Sequence, residues 1–280
     1  MLRRKRRAYP AARSAPGALP YDAGKQGLLS VSQQRHSVSY SGYEAWLFDL
    51  DEVITDTASV HAAWKRTFDE YPKLVSEREE RSYEPFKIDP DYYRYVDGKP
   101  RYAGVQDFLR SRGIILDRGD PNDPPSRETV CGIGNRKNAL FNEVLRSRGV
   151  EVFESSVALV QKLRARGRHV AVVTSSKNCD AVLQAAGIQN LFEVRVDGNV
   201  AAAKRLAGKP SSDTYEEAAR MLGTLPEQAV VIEDAISGVQ AGRAGGFGLV
   251  IGVARGDDPE VLRQNGADIV VRDLAELSLI

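Results

Sequence analysis

Two aspartates separated by a single residue, Asp49 and Asp51, are the side chains whose types and spacing first suggest chemistry. They follow an apolar run, Ala45–Phe48, that is typical of a buried strand. Because side chains alternate along a strand, both carboxylates can point the same way. Carboxylates this close repel each other unless a divalent cation or a shared proton lies between them. Aspartate is also a nucleophile that can form an aspartyl-phosphate, although the pair alone could equally be two solvated acids.

Three further polar groups occur where a predicted strand ends or a predicted helix begins. The segment Thr174–Asn178 carries hydroxyls between a strand and a helix, where free backbone N–H groups attract anions. Lys209 precedes another helix, and Glu233 and Asp234 end another strand. Each group alone has an ordinary explanation, such as a helix cap or a surface lysine. Together with the two aspartates they supply acids for Mg²⁺, a hydroxyl and a lysine for phosphate, and a nucleophile, which is what phosphoryl transfer requires.

The elements that must position these groups alternate between helix and strand from residue 151 onward. Apolar strands are predicted near residues 169–174, 229–234, 249–251 and 268–271, with helices closed by glycine between most of them. Such alternation predicts βαβ units and a parallel sheet. The strand before Asp49 must join the same sheet. We therefore predict an α/β fold with a doubly wound, Rossmann-like core that is discontinuous in sequence.

The block between the first strand and residue 151 shows no convincing strand. It holds short predicted helices, a highly charged stretch and a Pro-rich loop. We predict a helical cap domain inserted into the core. The predicted organisation is a disordered basic tail at 1–42, a core at 43–61 and 151–280, and a cap at 62–150.

Composition narrows the function classes. Residues 1–42 hold eight Lys or Arg and one acid, so the remaining 238 residues carry a net charge of −6, which argues against a nucleic-acid-binding protein. The tail, with its Arg3–Arg7 run, is interpreted as a solvated extension; a nucleic-acid patch and an organelle transit peptide are alternatives. No run approaches the 18 or so apolar residues of a membrane span. Cys131 and Cys179 are too few for a disulfide framework and suit a reducing compartment, so we expect a cytoplasmic protein. We also expect a monomer without a membrane or nucleic-acid partner.

This ordered set of residues resembles the four motifs of the haloacid dehalogenase superfamily. The motifs correspond here to Asp49-Leu50-Asp51, Thr174, Lys209 and Glu233-Asp234, with a helical insertion after the first. A closer similarity, over about residues 43–275, is to the beta-phosphoglucomutase group. The stretches that carry it are Asp49–His61, Ser175–Asn178, Gly98–Arg101 and Arg136–Asn138.

The resemblance implies roles for individual residues. Asp49 is implied as the nucleophile and Asp51 as the general acid and base. Mg²⁺ would be held by Asp49, the Asp51 carbonyl, Glu233 and Asp234. Thr174 and Lys209 would hold the transferring phosphoryl group. The residues implied in substrate binding are Arg101, Ser175, Ser176 and Asn178, near the second phosphate, with His61 and Lys137 positioning the cap and the sugar.

The implied activity is interconversion of beta-glucose 1-phosphate and glucose 6-phosphate through a bisphosphate. A sugar-phosphate phosphatase of the same fold is an alternative. A weakly active binding protein is a third reading, because Glu52 stands where the resembling group usually has glycine. Glycine tolerates backbone angles that glutamate does not, and glutamate adds negative charge near a phosphate.

Overall fold

The computed structural model describes residues 36–56, 58–255 and 258–280. A six-stranded sheet and a two-stranded sheet lie in this part of the chain. The strands are, in chain order, β1 (His36–Val38), β2 (Ala45–Phe48), β3 (His169–Val173), β4 (Val194–Val196), β5 (Ala229–Glu233), β6 (Leu249–Val253), β7 (Ile269–Val271) and β8 (Leu277–Leu279).

Helices separate most of these strands, as the alternating pattern predicts. They are α1 (Ala58–Glu79), α2 (Tyr93–Tyr95), α3 (Arg101–Ser111), α4 (Val130–Arg148), α5 (Glu154–Ala165), α6 (Cys179–Ala185), α7 (Gly198–Lys204), α8 (Asp213–Met221), α9 (Ile236–Ala244) and α10 (Pro259–Gln264). None of the helices described is both long enough and apolar enough to cross a bilayer.

The large sheet is parallel throughout and has the strand order β4-β3-β2-β5-β6-β7. Strand β2 lies at its centre, and its four residues are fully buried. Trp46 and Phe48 pack into the apolar cluster on one face, and Ala45 and Leu47 into the cluster on the other. Apolar side chains on both faces explain why this strand is continuously hydrophobic instead of alternating. The predicted doubly wound α/β core is confirmed.

The direction of chain winding reverses beside β2. Phe48 pairs with Val172 of β3 on one side and with Ile232 of β5 on the other. From β2 the chain proceeds outward through β3 and β4, then returns to form β5 on the opposite side. In open α/β sheets ligands bind at such a switch point, outside the carboxyl ends of the strands. Asp49 directly follows β2, Glu233 is the last residue of β5, and Asp234 comes directly after it.

Helices α1 to α4 lie between β2 and α5 and have an apolar cluster of their own. Its aromatic centre includes Phe68, Phe86 and Phe108, and the ring centroids of Phe68 and Phe108 are 4.1 Å apart. No strand occurs between residues 62 and 150, all of which are described. The division into domains at residues 62 and 150 remains a prediction, and α1 crosses the first of these positions without interruption.

The expectation of a tail extending to residue 42 is wrong for residues 36–42. Strand β1 pairs in parallel with β8, and Tyr40–Gly42 form a 3₁₀ turn. The Tyr40 N–H donates to the Ile280 carbonyl at 3.2 Å. The two strands of this small sheet are far apart in the chain, so no local sequence pattern indicates their pairing. Residues 1–35, including the basic run, lie outside the described residues.

Candidate active site

Lys209, Asp49 and Glu233 form a buried charged cluster at the switch point. The Asp49 N–H donates to the Ile232 carbonyl at 2.9 Å, which continues the β2–β5 pairing and fixes the aspartate backbone. The Lys209 ammonium donates to one carboxylate oxygen of Asp49 and one of Glu233, and to the Val173 carbonyl at 3.4 Å. Asp49, Lys209 and Glu233 are 8, 6 and 0 % exposed. Charged groups this deeply buried require partners, and here they provide them for one another.

Asp49, Glu233 and Asp234 bring one carboxylate oxygen each to within 4.8 Å of one another. Burial raises the pKa of Asp49 well above its usual value; Lys209 opposes the shift, and the Glu233 and Asp51 carboxylates reinforce it. Burial also raises the pKa of Asp234, together with the negative charges of Asp97 and Glu233. One ammonium group does not balance these acids. An all-oxygen donor set with excess negative charge fits a hard divalent cation.

The carboxylate of Glu233 is held rigidly. The Tyr215 hydroxyl donates to one of its oxygens at 2.7 Å, and the Ala235 N–H donates to the other at 3.2 Å. A Cβ atom on Gly238 would lie 1.9 Å from this carboxylate, so only glycine fits there. Neither Tyr215 nor Gly238 is singled out by the sequence analysis, because their contacts with Glu233 exist only after α8 and α9 have packed on the sheet.

Asp51 lies three residues past the end of β2 and lines the same cavity as Asp49. Burial raises its pKa, while the charges of Lys137 and Lys209 oppose the rise. Among the described residues, the clustered acidic oxygens belong to Asp49, Glu233 and Asp234, and the Asp51 side chain contributes none. This is compatible with the expectation that Asp51 contacts Mg²⁺ through its backbone carbonyl. The next residue, Glu52, has a φ of +58°. Glutamate therefore stands in a backbone region that favours glycine.

The Thr174–Asn178 segment enters the cavity directly after β3. The Ser176 N–H donates to the Thr174 hydroxyl oxygen at 3.0 Å, and the Asn178 N–H donates to the Ser176 hydroxyl oxygen at 3.1 Å. Thr174 is buried. It lines the cavity together with the half-buried residues Ser175, Ser176 and Asn178. These bonds give the segment a compact turn, and the predicted group of residues is therefore brought together with Asp49.

The helical insertion contacts the core through two sets of hydrogen bonds. The Ser175 hydroxyl donates to the Gly98 carbonyl at 2.9 Å. Gly98 has a φ of +66°, and a Cβ atom there would lie 2.1 Å from the Ser237 hydroxyl oxygen, so the approach requires glycine. Asn138 accepts from the Arg101 guanidinium at 2.8 Å and from the Asn178 amide at 2.7 Å. Arg101 and Asn178 are thus joined across the boundary between the insertion and the sheet.

Lys137 is buried in the insertion, with its ammonium 4.8 Å from the ring centroids of both Trp64 and Phe141. Burial lowers its pKa to about 7, helped by the positive charge of Arg101 and opposed by Asp51. Lys137 also lines the cavity. The two aromatic faces stabilise a cation there without neutralising it.

His61 does not lie among the residues that line the cavity. Its ring packs edge-on against Tyr92, with the centroids 4.3 Å apart, and Tyr92 in turn lines the cavity. Burial lowers the pKa of His61, an effect that the charges of Glu52 and Asp56 oppose. The structure therefore places His61 one layer behind the cavity wall.

A cavity of about 490 Å³ lies between the insertion and the carboxyl ends of the strands. Its wall combines the acids around Asp49 with cations on the opposite side. Sequence reasoning identified Arg101 and Lys137 but missed Lys99, Arg118 and Lys177, which also line it. Lys99 and Lys177 had a signal, since they stand inside the Gly98–Arg101 and Thr174–Asn178 stretches. Arg118 belongs to the Pro-rich loop, whose path back to the cavity is set by tertiary contacts.

Comparison with known proteins agrees with this architecture. The profile of the haloacid dehalogenase-like hydrolases matches residues 43–246, and the chain belongs to this family. It is 47% identical over 237 residues to a beta-phosphoglucomutase of Mycobacterium bovis, covering 83% of this chain and 90% of that one. This likeness assigns it to the beta-phosphoglucomutase-like group. It is an enzyme that acts as a phosphotransferase or a phosphatase.

Two further relatives extend the comparison. A phosphorylated carbohydrates phosphatase of Thermotoga maritima is 26% identical over 234 residues, covering 82% of this chain and 94% of that one. A crystal structure of a beta-phosphoglucomutase from Clostridium difficile superposes with a TM-score of 0.65 at 23% identity. That match covers 84% of this chain and 93% of that one. The structural match supports the fold, including the capped α/β core.

Proposed function

We propose that this enzyme is an Mg²⁺-dependent mutase that converts beta-glucose 1-phosphate into glucose 6-phosphate. The observation that carries the proposal is the cavity itself, in which the Asp49–Lys209–Glu233 cluster faces Arg101 and Lys137 of the helical insertion. A mutase must hold a sugar that carries phosphate at both ends. A cavity with a phosphoryl-transfer cluster on one side and cations on the other suits such a ligand.

The first half of the reaction begins with the phosphorylated form of Asp49. The 6-hydroxyl of the sugar attacks the phosphorus atom, a new O–P bond forms, and the bond from phosphorus to the Asp49 oxygen breaks. The hydroxyl proton passes to the Asp51 carboxylate, and Asp49 leaves as a free carboxylate. The product is a glucose bisphosphate.

In the second half the bisphosphate is reoriented and Asp49 attacks the phosphorus at position 1. The bond from that phosphorus to the sugar oxygen breaks, and the sugar oxygen takes the proton from Asp51. Glucose 6-phosphate leaves, and phospho-Asp49 is restored. Thr174 donates a hydrogen bond and Lys209 supplies positive charge to the phosphoryl group as it moves.

Residues Asp49, Glu233 and Asp234, with the Asp51 carbonyl, are proposed to hold the Mg²⁺ ion. The spacing of the acidic oxygens and their excess negative charge support this assignment. When bound, the ion supplies charge that offsets the transferring phosphoryl group. The chain's own contribution is the rigid placement of Glu233, which accepts hydrogen bonds from the Tyr215 hydroxyl and the Ala235 N–H.

A coupled assay tests the proposal. Beta-glucose 1-phosphate, Mg²⁺ and a trace of glucose 1,6-bisphosphate are supplied, and glucose 6-phosphate is measured by its oxidation. Inorganic phosphate is measured in parallel. We expect glucose 6-phosphate to form in excess of phosphate, and to require both the primer and Asp49.

A sugar-phosphate phosphatase is the second candidate, and the similarity to the Thermotoga maritima phosphatase supports it. In that reaction water takes the phosphoryl group from Asp49. Release of phosphate without glucose 6-phosphate in the same assay would favour this function. A folded wild-type chain that yields neither product would favour the third reading, a weakly active binding protein.

A further inference from the structure

Arg255 joins the loop that follows Asp51 to Asp273, which lies two residues past β7. Arg255 lies two residues past β6, and its side chain is only 16% exposed. Its Nε donates to the Glu52 carbonyl at 2.8 Å and its Nη2 to the Val53 carbonyl at 3.4 Å. Its Nη1 pairs with Asp273 at 2.9 Å. One guanidinium group therefore holds two consecutive carbonyls of the loop and is itself fixed by a carboxylate.

The same side chain contacts the returning connection from the helical insertion. Its guanidinium carbon lies 3.4 Å from the centroid of the Phe153 ring, and Nη2 donates to the Ser156 hydroxyl oxygen at 3.3 Å. Ser156 in turn donates to the Val53 carbonyl at 2.6 Å. Arg255 thus contacts the Val53 carbonyl both directly and through the Ser156 hydroxyl.

The two connections that lead to and from the insertion are paired with each other at this point. The Asp56 N–H donates to the Glu151 carbonyl at 3.0 Å, and the Phe153 N–H donates to the Ile54 carbonyl at 2.9 Å. Arg255 packs against this pairing through Phe153. It is therefore tied both to the Asp51 loop and to the base of the insertion.

The loop needs an external support because of Glu52. With a φ of +58°, Glu52 occupies the left-handed region, which is unfavourable for a residue that has a Cβ atom. Within the turn, its N–H donates to the Thr55 carbonyl at 2.8 Å. Its own carbonyl is the one that Arg255 holds. A charge-assisted hydrogen bond to the carbonyl of the strained residue opposes relaxation of the backbone.

We infer that Arg255 is a positioning residue that holds Glu52 in its left-handed conformation and thereby keeps Asp51 directed into the cavity. The inference rests on the proposed function for the role of Asp51 in proton transfer. Arg255 does not line the cavity itself. Its removal should therefore affect the step that needs Asp51 and leave the phosphate contacts of Thr174 and Lys209 intact.

The test is a double-mutant cycle between Arg255→Gln and Glu52→Gly, with kcat and KM measured for beta-glucose 1-phosphate. We expect Arg255→Gln to lower kcat by about tenfold or more while KM changes by less than about twofold. The loss should be clearly smaller in the Glu52→Gly background, because glycine adopts the left-handed conformation without support. Arg243→Gln, which removes an arginine from an exposed ion pair with Asp268, is the matched control and should leave kcat unchanged.

A second control separates positioning from general stabilisation. Glu80 also has a positive φ, of +49°, and lies on the surface at the end of α1. Glu80→Gly should relieve similar strain and raise the melting temperature of Arg255→Gln without restoring kcat. The inference would be overturned if Arg255→Gln lowered kcat by the same factor in the wild-type and Glu52→Gly backgrounds. It would also be overturned if Glu80→Gly restored the kcat of Arg255→Gln as well as Glu52→Gly does.

Failure of this inference can be told apart from failure of the proposed function. A folded wild-type chain that does not act on the sugar phosphate refutes the proposed function, and with it the role of Asp51 on which the inference rests. A wild-type chain that is active, together with an Arg255→Gln variant of the same kcat, refutes only the positioning role.

Discussion

The ammonium of Lys209 donates a hydrogen bond to the carboxylate of Asp49, although 160 residues separate them in the chain. Burial alone would lower the pKa of Lys209, but the Asp49 and Glu233 carboxylates raise it above its usual range. The lysine is therefore charged at every physiological pH. Its charge also opposes the rise that burial imposes on the pKa of Asp49, which favours the ionised form that a nucleophile requires.

Replacement of the nucleophile gives the first prediction. Asp49→Asn should reduce turnover about 10³-fold or more, equivalent to about 4 kcal/mol of barrier, because an amide cannot form the phosphorylated intermediate. Intact-mass measurement after incubation with the bisphosphate should show phosphate on the wild type only. Asp180→Asn, in an exposed ion pair with Arg195, should behave as the wild type. Near-normal turnover of Asp49→Asn would remove it from the nucleophile role.

Loss of an acid from the cluster gives the second prediction. Asp234→Asn should abolish Mg²⁺-dependent activity and the rise in melting temperature that Mg²⁺ causes by binding the folded state. In the metal-free protein the variant should melt at the same or a higher temperature, because it removes repulsion among neighbouring carboxylates. Glu260→Gln, an exposed acid on α10, is the control. A variant that keeps the Mg²⁺-dependent shift would contradict the assignment.

The low pKa of Lys137 gives the third prediction. Burial, helped by Arg101 and opposed by Asp51, lowers the pKa of Lys137 to about 7, so in the free enzyme the charged form predominates below this pH and the neutral form above it. A bound phosphate dianion favours the charged form, so binding above pH 7 must take up a proton. Affinity for the sugar phosphate should fall between pH 7 and pH 9 by up to about tenfold per unit. Lys137→Arg should flatten this dependence.

Calorimetry in two buffers of different ionisation enthalpy measures directly the proton uptake that accompanies binding of the sugar phosphate. At pH 8 the wild type should take up a proton on binding, and Lys137→Arg should take up less. Equal proton uptake by the two proteins would show that another group titrates.

The strained backbone at Glu52 gives the fourth prediction. Glu52→Gly should raise the free energy of unfolding by about 1 kcal/mol, because glycine has no Cβ clash in the left-handed region. It should also raise kcat by removing a negative charge near the transferring phosphate. Urea unfolding and steady-state kinetics measure the two effects. If neither changes, glutamate is tolerated here and the departure from glycine is neutral.

The link between the insertion and the core gives the fifth prediction. Arg101→Ala should lower mutase turnover far more than hydrolysis of a small aryl phosphate, because the aryl substrate has no second phosphate to bind. Arg110→Ala, on the exposed side of the same helix, is the matched control and should change neither rate. An equal loss of both activities in Arg101→Ala would mean that its bond to Asn138 is structural, and would favour the phosphatase.

The parallel core and the residues at the ends of its strands can be predicted from local sequence patterns. Continuous apolar runs predict β2, β3 and β5, and parallel strands bring their carboxyl ends to one edge of a sheet. The sequence alone therefore predicts that Asp49, Thr174 and Glu233 lie close together. Short or locally ambiguous elements escape such prediction, as with the three-residue strand β4 and the Cys131–Gly134 stretch of α4, which is poor in helix formers.

The side chains that hold those residues in place are defined by long-range packing contacts. The bonds from Tyr215 to Glu233 and from Arg255 to Glu52 join segments 18 and 203 residues apart. The bridge through Asn138 exists only because the insertion lies on the core. No periodicity or spacing encodes such contacts, because they depend on how separate elements pack. Local pattern thus specifies the chemistry available at the strand ends, and packing specifies the cavity in which that chemistry operates.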